Sequence, residues 1–121
     1  MTEVSDMQHK IVFVDDEEVI CELYADIFNF GQYSVKSFVD TDEAIDYIKN
    51  NKISMCFLDY RMPKIKGDEL RKYISEDVPC LMLTGEFFDE IPDGFLEVVS
   101  KPMDIDLYEE LVEKYSLESS V

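Results

Sequence analysis

The chain has 121 residues, which suits one domain large enough to bury a hydrophobic core without staples. Hydrophobic residues make up 46% of it, too many for a disordered chain. Its 28 acidic and 11 basic residues leave a net charge of −17, which excludes a nucleic-acid backbone or an anionic membrane as a direct partner and favours cations and basic protein surfaces.

Residues 1–9 read as a disordered or extended N-terminus without the apolar stretch of a signal peptide. Ile11–Val14 is wholly apolar and reads as a buried strand. Asp16 is placed to cap a helix, with Glu17 and Glu18 in the first turn. Val19, Ile20, Leu23, Ile27 and Phe28 follow at helical spacing, and Gly31 stops the run. Tyr33–Phe38 is more polar and reads as an edge strand. Thr41 or Asp42 starts a second helix with Ala44, Ile45 and Ile48 on its inner face. Ile53–Leu58 is another buried strand, and Gly67 precedes a helix through Leu70 and Ile74. Pro79–Leu83 and Phe95–Val99 read as strands four and five. A last helix starts near Asp104 and carries Leu107, Leu111, Val112 and Tyr115. The domain spans 10–116, and 117–121 reads as a frayed tail. No stretch approaches the roughly 20 apolar residues needed to span a bilayer, so no membrane insertion is expected. Cys21, Cys56 and Cys80 fit no zinc spacing, and an odd number of mostly buried thiols suggests a reducing, cytoplasmic setting.

Strands and helices alternate, and the central strands are apolar on both faces. That pattern predicts an α/β fold, a doubly wound five-stranded parallel sheet with helices on both sides. Ligands of such sheets sit beyond the carboxyl ends of the strands. Asp15 and Asp16 follow strand one there, Asp59 follows strand three, Thr84 and Gly85 follow strand four, and Lys101 follows strand five. Three carboxylates brought together stay ionised only if cations compensate, and one divalent ion plus one lysine would balance them. An all-oxygen rim suits Mg²⁺ or Mn²⁺. A lysine and a hydroxyl at the same rim suit the equatorial oxygens of a phosphoryl group. Asp59 is then placed as a nucleophile that forms an aspartyl phosphate.

With FVDDEE at 13–18, FLDYRMPKIKG at 57–67, LMLTG at 81–85 and SKP at 100–102, the chain resembles the receiver domain of two-component response regulators, from about residue 10 to about residue 115. The resemblance implies a flavodoxin-like sheet in the order 2-1-3-4-5. It implies Asp59 as phosphoacceptor, Asp16 as a direct metal ligand, Asp15 as a largely water-mediated one, and the main-chain carbonyl of Arg61 completing the set. Thr84, the Gly85 amide and Lys101 would contact the phosphoryl group, and the Lys101–Pro102 bond would be cis. The implied donor is a histidine kinase, a histidine phosphotransfer protein or acetyl phosphate. The downstream protein target is unknown, and a homodimer is left open.

The sequence departs from this family in two places. An aromatic residue usually stands three positions before the lysine, where this chain has Val98. Only 16 residues separate Thr84 from Lys101, so the fourth helix is expected to be short or absent. Arg61 and Glu86, each two residues past a motif residue, are expected to pair across the mouth of the site and slow the attacking water. Asp15-Asp16 as a mere helix cap, Asp59 as a turn residue and Lys101 as a simple counter-charge are the plainer readings. An aspartyl-phosphate hydrolase is disfavoured, because the first strand ends in Asp-Asp rather than Asp-x-Asp and Asp59 is followed by Tyr60-Arg61, with no second acid two residues on. A degenerate receiver that binds proteins without phosphorylation is the main alternative to a signalling module that is not itself an enzyme.

Overall fold

In the computed structural model, which describes residues 9–116, the chain runs β1 (His9–Val14), α1 (Glu18–Phe28), β2 (Tyr33–Phe38), α2 (Thr41–Asn50), β3 (Met55–Asp59), α3 (Gly67–Leu70), β4 (Cys80–Thr84), β5 (Val98–Ser100) and α4 (Ile105–Tyr115). A 3₁₀ turn, Arg71–Tyr73, extends α3. All strand pairs are parallel and the sheet order is β2-β1-β3-β4-β5. This is the doubly wound, flavodoxin-like order that the alternating pattern and the motifs imply.

Alternate residues of the central strands serve opposite core layers, as the period of two requires. Phe13, Phe57 and Leu81 face Tyr24 and Phe28 of α1 and Tyr108 and Leu111 of α4. Val12, Cys56, Leu58 and Met82 face Ala44 and Ile48 of α2 and Leu70 of α3. The first layer is a stack of rings: Phe13 lies 4.7 Å from Phe57, and Phe28 lies 4.1 Å from Tyr108, centroid to centroid. Such pairs add about 0.5–1.5 kcal/mol each beyond the area they bury. No helix among the described residues is long and apolar enough to cross a membrane.

The structure corrects several local expectations. Asp16 does not cap α1. Glu17 holds the cap position without a side-chain cap bond, and its amide donates to Asp15 Oδ1 at 3.0 Å. Cys21, Tyr24 and Phe28 form the buried face of α1, while Val19, Leu23 and Ile27 stay exposed, Val19 at 75%. Asp40 caps α2 by accepting from the amides of Asp42 and Glu43. β4 starts at Cys80 because Pro79 has no N–H to give the ladder. β5 is shorter than expected, because the chain reaches it through a turn in which Pro92 O accepts from the Phe95 amide.

No helix lies between β4 and β5. Pro92 and Gly94, at φ +88°, interrupt that short segment, and no main-chain-to-main-chain hydrogen bond among the described residues involves 85–91. Arg71 anchors its far end. This side chain is buried with no carboxylate partner among the described residues, and its guanidinium donates to the carbonyls of Gly94 (2.6 Å), Ile74 (2.9 Å), Ser75 (3.2 Å) and Val78 (3.3 Å). A Cβ on Gly94 would come within 2.9 Å of the Arg71 Cγ, so glycine there also makes room for the arginine.

Candidate functional site

Parallel strands bring all their carboxyl ends to one rim, and every motif residue is carried there. β1 runs into Asp15 and Asp16, β3 ends on Asp59, β4 ends on Thr84, and Lys101 directly follows β5. The Lys101 amide donates to Thr84 O at 3.0 Å, which ties the last two together. The Lys101–Pro102 bond is cis.

Carboxylate oxygens of Asp15, Asp16 and Asp59 all lie within 4.8 Å of one another. Asp15 and Asp59 are buried, Asp59 at 3% exposure, whereas Asp16 is exposed at the cleft. Lys101 Nζ stands 3.0 Å from Asp15 Oδ2 and 3.0 Å from Asp59 Oδ1. Burial pushes the Asp59 carboxyl up to about 6; the Lys101 hydrogen bond opposes this and the Asp15 charge adds to it. Burial disfavours the Lys101 ammonium, but hydrogen bonds to Asp15 and Asp59 outweigh it and its pKa is raised. One ammonium therefore serves two buried carboxylates while a third carboxylate stands beside them. An all-oxygen cluster with excess negative charge suits a hard divalent cation, so the residues fit Mg²⁺.

A cleft of about 440 Å³ opens over Asp59, lined by Asp16, Glu17, Asp59, Arg61, Thr84, Gly85, Glu86 and Lys101. Thr84 is buried, and its Oγ1 accepts the Glu86 amide at 3.0 Å. The Arg61 Nε donates to Glu86 Oε2, so these two exposed side chains bridge the mouth as the sequence suggested. Val98 does not line the cleft. It is half-buried at the edge of the α2–α3 core layer.

Three features escaped the sequence reading. Glu17 lies on the cleft wall with Oε1 4.0 Å from Lys101 Nζ, where only a place in the first helical turn was expected. Cys21 sits beneath Asp15 and donates from Sγ to its carbonyl at 3.1 Å; burial and the Asp15 charge push this thiol up to about 11, so it stays an unreactive packing group. Gly67 presses on the backbone of the central strand: a Cβ there would meet Asp59 O at 2.6 Å. Its position eight residues after Asp59 was visible in the motif, but the contact was not.

Comparison with known proteins agrees with this geometry. The model of the response regulator receiver domain matches residues 11–113. The chain is 38% identical over 103 residues to the regulatory protein VanRc of Enterococcus gallinarum, covering 79% of this chain and 45% of that protein. It is 30% identical over 118 residues to sporulation initiation phosphotransferase F of Bacillus subtilis, covering 90% and 94%. The chain thus spans less than half of VanRc but nearly all of the second relative. Among solved structures, the response regulator TrrA of Thermotoga maritima, in complex with Mg²⁺-BeF, superposes with a TM-score of 0.79 at 25% identity, covering 89% of this chain and 99% of that one. With the sheet order and the rim residues, the match over 11–113 shows that the chain belongs to the response regulator receiver domain family.

Proposed function

We propose that the chain accepts a phosphoryl group on Asp59 from a phosphohistidine of a histidine kinase or phosphotransfer protein, and passes the signal on through altered protein contacts. The observation that carries this reading is the meeting of Asp59 with two further carboxylates, a lysine and a buried threonine hydroxyl at the ends of four strands. An Asp59 carboxylate oxygen attacks phosphorus as the P–N bond to the donor imidazole breaks, and the electron pair leaves with the imidazole. Lys101 and Thr84 donate to the phosphoryl oxygens, and the Gly85 amide stands beside them on the same wall. Asp15, Asp16, Asp59 and the Arg61 carbonyl would hold Mg²⁺. When bound, that ion offsets the charge that gathers on the phosphoryl oxygens and carboxylates. Burial pushes the Asp59 carboxyl up to about 6, and a bound cation would favour its ionised, nucleophilic form.

A protein donor must cover the surface around the cleft to deliver its imidazole. α1 begins at that cleft and offers an exposed apolar stripe of Val19, Leu23 and Ile27, which suits a helical donor. The second reading, a degenerate receiver that binds partners without phosphorylation, is favoured only by Val98 and the missing helix between β4 and β5.

Incubation with Mg²⁺ and acetyl phosphate tests the proposal. One phosphate per chain, base-labile and absent from Asp59→Asn, is expected by intact mass. Rapid turnover with repeated release would indicate a hydrolase, and no adduct would leave the binding module.

A further inference from the structure

Cys56 of β3 and Cys80 of β4 are directly paired in the parallel ladder, and both belong to the core layer packed by α2 and α3. Both carry free thiols and are completely buried. Neighbouring strands run about 4.8 Å apart, inside the ~4.4–6.8 Å between α-carbons that a disulfide spans. The two sulfurs already share a hydrogen bond, in which the Cys56 thiol donates to Cys80. That bond holds the Cys80 thiol below its ordinary value against the effect of burial, and the Arg71 charge acts in the same direction. The same bond, together with burial, holds Cys56 well above its ordinary value. Arg71 donates to the neutral carbonyls of Gly94, Ile74, Ser75 and Val78, the last two residues before Cys80, so its charge is left to act on the thiols. Cys21 is the contrast: it lies beside carboxylates and donates to a carbonyl, which leaves it unreactive. Thiols that only filled space would need neither a shared proton nor a cation near them.

We propose that Cys56 and Cys80 form a reversible redox modification site, in which Cys80 reduces a hydroperoxide and Cys56 closes a disulfide across the two central strands. The Cys80 thiolate attacks one peroxide oxygen and the O–O bond breaks. The other oxygen leaves as hydroxide and takes up the thiol proton as water, and Cys80 becomes a sulfenic acid. The Cys56 sulfur then attacks the Cys80 sulfur. An S–S bond forms, the S–O bond breaks, and a second water carries away the Cys56 proton. Each thiol loses one electron, and hydrogen peroxide becomes two waters. Access does not require the sheet to part. Cys80 opens β4 directly after residues 75–79, of which Ser75, Glu76 and Asp77 are exposed. Local opening of that turn uncovers the sulfur to a molecule little larger than water. Side chains of paired parallel strands run side by side, so the disulfide must draw β3 and β4 together. Such a strained bond is easily reduced, which suits a transient mark in a reducing setting.

Hydrogen peroxide added to the folded wild-type chain, without denaturant, provides the test. Intact mass should fall by two hydrogens. Peptide mapping should join Cys56 to Cys80 and find Cys21 still open to alkylation after unfolding, and dithiothreitol should restore the starting mass. In Cys56→Ala the disulfide cannot close, so dimedone should trap a sulfenic acid on Cys80. In Cys80→Ala, Cys56 should stay unoxidised at the dose that converts the wild type. Three alkylatable thiols left in the wild type at a dose that oxidises its methionines, a disulfide that takes in Cys21 instead, or a crosslink that forms only in urea would overturn the inference. A sulfenic acid trapped on Cys56 but never on Cys80 would overturn the assignment of the attacking sulfur.

Discussion

Gly67→Ala sets two effects of opposite sign against each other. Alanine at the first position of α3 should favour the helix and stiffen the unfolded chain, worth at most about 1 kcal/mol. Against that, the new methyl would stand 2.6 Å from Asp59 O and 3.1 Å from Tyr60 Cα. Both are main-chain atoms of the sheet centre and cannot swing aside. Forcing a methyl into such a place costs about 1–3 kcal/mol, so the steric effect wins and the variant should lose about 1–2 kcal/mol. Urea denaturation without metal measures this loss. The clash also acts on the acceptor, because the loop from Asp59 to Gly67 is closed by the Gly67 amide donating to Tyr60 O at 3.0 Å. Displacing it by a fraction of an ångström moves both Asp59 and the Arg61 carbonyl. Since a misplacement of about 1 Å can cost about 100-fold in rate, phosphorylation by acetyl phosphate should slow by about tenfold, with weaker Mg²⁺ binding by calorimetry. A Gly67→Ala protein as stable as wild type and phosphorylated at the wild-type rate would refute the claim that this contact positions the acceptor.

Other outcomes follow from the same geometry. Arg71→Met removes four hydrogen bonds to main-chain carbonyls but recovers the cost of burying a charge. The net loss should be about 3 kcal/mol by urea denaturation, with faster amide exchange near Gly94 and little change at Asp59. Arg61→Ala and Glu86→Ala should each shorten the half-life of the phosphorylated form severalfold while leaving stability unchanged, as read by loss of phosphate over time. In chelator, Asp59→Asn should stabilise the fold at pH 7. A carboxyl raised in the fold from 3.8 to about 6 holds its proton more tightly than in the unfolded chain, so its stabilising effect is full below pH 3.8 and is lost as pH rises through 6. The ionised group then costs up to about 3 kcal/mol, so the advantage of the Asp59→Asn variant over wild type should vanish near pH 3 and shrink when Mg²⁺ is added at pH 7.

The cleft was legible in the sequence because its residues stand where apolar runs stop. Asp15, Asp59, Thr84 and Lys101 each mark the exit of a strand, and a parallel sheet gathers such exits without help from any other contact. The absence of a helix before β5 was legible from length alone. What escaped notice depends on tertiary partners. Arg71 drew no reading from the sequence, because only the fold supplies the carbonyls that bury it. Tyr108 falls between the apolar residues Leu107 and Leu111 and reads as one more side chain, yet it is completely buried against Phe28. On α1 the spacing of Val19, Leu23 and Ile27 looked like a core stripe, but two core positions go to Cys21 and Tyr24 because they reach Asp15 and the Phe13 ring. Periodicity identifies a helix more securely than it identifies which of two apolar faces turns inward.

The stretch from Asp89 to Asp93 lies beyond Phe88 and before the Arg71 anchor at Gly94, and it is free of sheet and helix. Chain can be added there without severing a ladder or opening the core. Grafting a small fluorescent or luminescent protein between Glu90 and Ile91 would place its attachment points a few residues from the cleft, turning this domain into a readout of its own chemistry.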